Sequence, residues 1–249
     1  MDLKDKVVLV TGGGTGLGRA TSFAMAREGA RVAVGYSRSR AEALETVEAI
    51  GRLGAKAMAT KADVSNAREV AAMVEEVTSA FGCIDVLVNN AAFTVFVPFR
   101  DIEAMKEADW DRLMAVNAKG PFLCSQAVVP GMRARGGGRI VNIATISALR
   151  PSGSSIGYSV SKAAVVHFTR CLAVALAPEI TVNAVAPGAM LTRWVPNRTE
   201  DDIRRTRERA PLKRLSELDD VAAAVLMVAR NDSMTGQIVT VDAGMTLAH

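Results

Sequence analysis

Aromatic residues make up only 4% of this 249-residue chain, and histidine occurs twice. So few rings, with basic and acidic residues interspersed at a net charge of +4, leave no stacking platform beside a basic stripe, and nucleic-acid binding is excluded as an expectation. The three cysteines, Cys83, Cys124 and Cys171, are odd in number and far apart, with no CxxC pair. They form no metal-ligand pattern with His167 or His249, so the expectation is buried free thiols in a reducing compartment and no metal. No uncharged apolar run reaches the ~18 residues of a spanning helix. The opening Met1 to Lys6 carries acids, and the apolar run Val7 to Val10 is too short for a signal peptide. These absences imply a soluble, cytoplasmic protein without a membrane partner.

What is abundant is Ala, Val and Gly within a 49% hydrophobic composition, which suits strands covered on both faces. Strand and helix signals alternate. Strands are expected at Lys6 to Val10, Arg31 to Gly35, Lys56 to Thr60, Ile84 to Val88, Arg139 to Ile143, Ile180 to Ala184 and Gln237 to Val241. Helices are expected up to about Glu28, after a capping box at Ser39–Glu42, along the stripe Val70, Met73, Val74, Val77, over Asp109 to Ala134, from Gly157 to Leu176, and over Val221 to Ala229. With no linker or composition break, the pattern predicts one domain over 1–249. It is an α/β, doubly wound sheet of about seven parallel strands with helices on both faces.

The run from Thr11 to Gly18 (TGGGTGLG) follows the first strand and opens the first helix. Glycine there permits a tight turn and close backbone approach to a pyrophosphate resting on the helix N-terminus. The second strand ends in Tyr36, Ser37 and Arg38 where a carboxylate would bind the ribose 2′-OH of NAD. With no acid to repel a 2′-phosphate, and Arg38 available to pair with it, NADP(H) is the expected coenzyme.

Tyr158 and Lys162 lie four residues apart, on one face of the expected helix. A neighbouring ammonium favours the phenolate, so the tyrosine is expected below its ordinary pKa of roughly 10 and able to exchange a proton near neutral pH.

The glycine run, Asn89-Asn-Ala-Ala92, Asn117, the Tyr158/Lys162 pair and Pro187-Gly188 occur in this order along the whole chain. That set resembles the short-chain dehydrogenase/reductase family, most closely its 3-oxoacyl-carrier-protein reductase-like and glucose-dehydrogenase-like branches. The resemblance implies a Rossmann-type fold and hydride transfer between a nicotinamide and a small ketone, aldehyde or alcohol. It assigns the coenzyme loop to Thr11, Gly12, Gly14, Thr15, Gly16, Leu17 and Gly18, adenine contacts to Asp63 and Val64, and a place beneath the coenzyme to Asn90 and Ala91. Tyr158 becomes the acid/base. Lys162 lowers its pKa and holds the nicotinamide ribose, while Asn117 keeps a relay water in place. Pro187, Gly188, Met190 and Thr192 flank the nicotinamide. Two positions depart from the family. Thr145 stands where serine is usual, thirteen residues before Tyr158, with Ser147 nearby as a substitute hydroxyl. Ala92 replaces a common glycine, tightening packing without touching the chemistry.

Phe93 to Phe99 follows the fourth strand and suggests an apolar substrate pocket. The stretch at about 190–214 suggests a lid, with Trp194 and Arg204, Arg205, Arg207 and Arg209 as a basic rim for an acidic carrier or coenzyme A. Its mixed charges favour instead a solvated helix whose arginines face Glu200, Asp201, Asp202 and Glu208. His167 reads as packed or at an interface. Two long helices and the tail Met245 to Ala248 offer subunit contacts, and the family implies a homotetramer or dimer. The competing readings are 3-oxoacyl thioester reduction and, from another class, a non-catalytic nucleotide sensor, which the presence of both Tyr158 and Lys162 disfavours.

Overall fold

The first strand, β1 (Val7–Val10), buries four apolar residues in succession. Val8 and Val10 enter one core, Val7 and Leu9 another. A strand can bury both faces only when helices cover both. In the computed structural model, which describes residues 1–192 and 199–247, they do. α1 (Gly16–Arg27) leads to β2 (Arg31–Tyr36), α2 (Arg40–Arg52), β3 (Ala57–Lys61), α3 (Ala67–Phe81) and β4 (Val86–Asn89). α4 (Glu107–Met114) runs through a π-helical turn (Ala115–Lys119) into α5 (Gly120–Ala134). β5 (Gly138–Ile143), α6 (Ile156–Leu176), β6 (Ile180–Pro187), α7 (Glu200–Arg209), α8 (Leu218–Arg230) and β7 (Ile238–Val241) complete the order. α1, α2 and α8 supply one core; α3, α5 and α6 supply the other.

All strands are parallel, in the order β3-β2-β1-β4-β5-β6-β7. The chain winds outward from β1 to β3, then crosses to β4 on the other side of β1. That reversal opens a crevice beyond the carboxyl ends of β1 and β4, where such sheets take ligands.

The expected elements are all present, with shifted ends. β6 runs three residues past its expected stop: Ala184 to Pro187 are buried between β5 and β7, and Pro187, lacking an N–H, closes the strand. The polar 199–210 stretch contains α7, whose Thr199 and Asp202 form a reciprocal capping box. At Ser39 the expected box is not formed. Its backbone (φ −91, ψ 59) lies outside the extended geometry that a capping side chain needs, and its side chain makes no cap bond.

α6 has 21 residues and, by length and composition alone, is apolar enough to cross a membrane. Here it packs along β6, and Val165, Val166, Ala173 and Leu176 are buried. Cys83 and Cys124 are buried free thiols as expected, but Cys171 is exposed because it faces outward from α6. His167 faces the same way and is exposed rather than packed. Trp194, Ala248 and His249 lie outside the described residues, as does the 193–198 part of the expected lid.

Candidate active site

The glycine turn after β1 is held from below. Thr11 Oγ1 accepts from the N–H groups of Asn90 (3.0 Å) and Ala91 (3.0 Å), and Asn90 Nδ2 donates to the carbonyls of Thr11 (2.9 Å) and Gly12 (3.1 Å). Gly12 has φ +63, and a Cβ on it would meet Asn90 Nδ2 at 3.1 Å. A Cβ on Gly18 would sit 2.0 Å from the Gly12 carbonyl oxygen, so only glycine lets α1 start this close to the turn. The first-turn N–H groups of α1 have no intrahelical acceptors. No acid stands in that turn, and the Thr15 side chain does not cap it. A cradle of unshielded N–H groups with no room for side chains fits a pyrophosphate.

Beyond this turn lies a cleft of about 320 Å³, running along the carboxyl edge of the sheet. Every coenzyme position expected from the sequence lines it, from Thr11 to Gly18 at one end to Pro187, Gly188, Met190 and Thr192 at the other, together with Thr145, Tyr158 and Lys162. Arg38 is exposed on its rim, beside Tyr36 and Ser37, and makes no ion pair among the described residues.

The Tyr158/Lys162 pair departs from expectation in its electrostatics. Ser155 caps α6, its Oγ accepting from the Tyr158 N–H at 3.2 Å, which puts Tyr158 in the first turn. Burial pushes the phenol up to about 12, and the hydrogen-bonded Thr145 hydroxyl opposes the rise. The expected depression of the tyrosine by Lys162 is therefore corrected: burial governs the shift, and what opposes it comes from Thr145. Lys162 is 3% exposed, and its Nζ donates to the Ile143 carbonyl at 2.7 Å. Burial pushes this ammonium down to about 8. The hydroxyl beside the phenol is that of Thr145; Ser147 is off the cleft lining and packs beneath Gly153.

Asn117 lies behind the cleft wall. It is 0% exposed and off the cleft lining. Its Oδ1 accepts from Phe93 N (2.7 Å), while Nδ2 donates to Phe93 O (2.9 Å) and Ser161 Oγ (2.9 Å). With both N–H protons and one side of the oxygen engaged, its side chain braces the segment after β4. The π turn that carries it is a common feature of functional helices.

Asp63 lines the cleft beside Val64. Burial raises its pKa, but hydrogen bonds from the Ser65 side chain and backbone and from Arg112 outweigh that and hold it low. Arg112 reaches Asp63 Oδ2 at 2.8 Å and Ser65 Oγ at 2.9 Å, and itself lines the cleft. The sequence reading missed it, although it stands one helical turn before the cleft residue Val116. Ala92 also lines the cleft. The apolar segment Phe93 to Phe99 is divided: Phe93 lines this cleft, while Val97 and Pro98 line a separate cavity with Ile102, Met105 and Trp110.

On α7, Arg204 pairs with Asp201 (3.0 Å) and Glu208 (3.8 Å), as a solvated helix requires. Arg205, Arg207 and Arg209 are exposed and make no ion pair among the described residues.

Known proteins share this arrangement. The short chain dehydrogenase family profile matches residues 6–203. A 3-oxoacyl-[acyl-carrier-protein] reductase of Staphylococcus epidermidis is 38% identical, over 97% of this chain and 99% of its own. A (2S)-[(R)-hydroxy(phenyl)methyl]succinyl-CoA dehydrogenase subunit of Thauera aromatica is also 38% identical, over 99% of both chains. Among solved structures, the alternative dihydrofolate reductase 1 of Brucella canis, complexed with NADP, superposes with a TM-score of 0.91. It has 32% identity and covers 100% of this chain and 96% of that one. With this profile match, these identities and the parallel sheet in hand, the chain belongs to the short-chain dehydrogenase/reductase family of oxidoreductases, in its 3-oxoacyl-carrier-protein reductase-like branch.

Proposed function

We propose that this oxidoreductase is an NADP(H)-dependent carbonyl reductase, reversible as an alcohol dehydrogenase. The observation that carries the reading is the Tyr158 phenol, which lines, together with Thr145 and Lys162, a cleft whose other end is the glycine cradle. The cradle and α1 N-terminus would hold the pyrophosphate, Asp63 and Val64 the adenine, and Lys162 the nicotinamide ribose. Arg38 would pair with a 2′-phosphate. A bound dihydronicotinamide supplies the hydride that adds to the carbonyl carbon.

Tyr158 gives its proton to the carbonyl oxygen as the C–O bond becomes an alkoxide, and Thr145 donates a hydrogen bond to the same oxygen. The tyrosine raised by burial is fully protonated at pH 7, so it stands ready as the acid of the reduction. Lys162 places positive charge beside the resulting phenolate, which regains a proton from solvent. Asn117 contributes by fixing Phe93.

The test is an NADPH-oxidation screen over β-keto esters, acyl thioesters, sugars, steroids and quinones, run in parallel with NADH. Tyr158→Phe is expected to lose ~10²–10⁴-fold in kcat with coenzyme affinity kept. Full turnover in that variant would remove the tyrosine from the mechanism.

A second reading, reduction of 3-oxoacyl thioesters, is favoured by the three unpaired arginines of α7 and by the reductase from Staphylococcus epidermidis. It predicts acetoacetyl-thioester activity that falls when those arginines become glutamates. Part of 190–214 acts as the lid in either reading, and the enzyme assembles as a homotetramer or dimer.

A further inference from the structure

We propose that Ser161 is a positioning residue that ties the catalytic tyrosine to the substrate-side wall of the cleft through Asn117; this rests on the carbonyl-reductase reading above. Ser161 is 0% exposed and does not line the cleft, so it touches neither substrate nor coenzyme. Its hydroxyl accepts from Asn117 Nδ2 at 2.9 Å and donates to the Tyr158 carbonyl at 2.8 Å. Asn117 in turn grips both backbone groups of Phe93, at 2.7 and 2.9 Å. Four hydrogen bonds thus join two cleft-lining residues from different elements, Phe93 after β4 and Tyr158 on α6, through two buried side chains.

The bridge uses every side-chain donor it has. Asn117 has two N–H protons and uses both; its oxygen takes the Phe93 N–H. The Ser161 hydroxyl has one proton and gives it to Tyr158 O. Any change in the position of Tyr158 along the axis of α6 must therefore move Ser161, Asn117 and the Phe93 backbone with it. Alanine at 161 breaks the bridge in the middle. It leaves one Asn117 N–H buried without an acceptor and frees the two elements to move separately. Proton donation requires the phenol and the reacting oxygen to be held at hydrogen-bond distance, and small misplacement is expensive in rate.

The test combines kinetics with hydrogen exchange. Ser161→Ala is expected to lower kcat about tenfold while the KM for coenzyme stays within about twofold. Ser161→Thr, which keeps the hydroxyl, should recover most of that loss. The double variant with Asn117→Ala should be no slower than Asn117→Ala alone, because both cut the same bridge. In the wild-type chain without coenzyme or substrate, the Phe93 amide should exchange slowly, and Ser161→Ala should accelerate it at least fivefold. Unchanged Phe93 exchange in Ser161→Ala overturns the bridge. So does a kcat loss that multiplies in full with that of Asn117→Ala, or one that Ser161→Thr does not relieve. The exchange measurement needs no substrate, so it decides the bridge even if the carbonyl screen fails and takes the broader reading with it.

Discussion

Desolvation governs the two ionisable residues at the centre of the cleft. Lys162, lowered to about 8 from an ordinary 10.5, releases a proton in the folded chain that the unfolded chain keeps until higher pH. Stability therefore rises with pH between about 8 and 10.5, by up to about 1.4 kcal/mol per pH unit. Tyr158, raised to about 12, contributes with the opposite sign only above pH 10. The buried thiols also oppose it, since burial raises Cys124 to about 12 and, with the Asp85 charge beside it, raises Cys83. The informative quantity is thus the difference in slope between wild type and Lys162→Met in urea unfolding at pH 8, 9 and 10. The wild type should have the steeper rise; equal slopes would show the lysine to be unperturbed. At the rim, Arg38→Ala should weaken NADPH binding by roughly 10- to 100-fold and leave NADH unchanged, measured as dissociation constants. The Tyr158/Lys162 pair was legible from four-residue spacing. The direction of the tyrosine shift was not, because burial depends on Thr145, Ile143 and the loop segments that only the fold brings together.

Among the elements, the turn from β1 into α1 has the least tolerance. Gly18→Ala places a methyl group 2.0 Å from a backbone oxygen that is itself held by Asn90. Relief requires α1 to shift away from the turn, at a cost of about 3 kcal/mol. Urea midpoints and coenzyme titration should show lower stability and loss of binding together. Retained tight binding would mean that α1 can move without opening the cradle. This turn was readable from glycine spacing because its constraint is local. β6 was harder. Asn183 breaks its apolar run, yet that side chain is buried, donating to Met234 O at 2.8 Å and accepting from Gln237 N at 3.0 Å. The expected strand passed through Asn183 and stopped at Ala184; Val185 to Pro187 are held in the sheet by pairing with β7, a partner that no local signal shows. The side-chain partners of Asn117, Phe93 and Ser161, are likewise 24 and 44 residues away.

For the whole molecule, the outer face of α5 and α6 exposes apolar side chains among polar ones. Phe122 is 46% and Val174 83% exposed, and Phe122 meets Phe168 edge to face. The proposed assembly would cover part of this face. Val174→Glu should shift sedimentation toward smaller species without changing the fold by circular dichroism; an unaltered sedimentation profile would place the contact elsewhere. The sheet order was predictable only as a class, since alternating strands and helices fix parallel pairing but not which strand β4 joins.

The polarity of that sheet has a practical corollary. Because every cleft residue gathers beyond one rim, the turns at the opposite rim are chemically idle. Gly54, between α2 and β3, and Gly136, between α5 and β5, both have open space where a side chain would point. A fluorophore or affinity handle grafted beside either, with the glycine itself kept for its positive φ, would report on the enzyme from a distance.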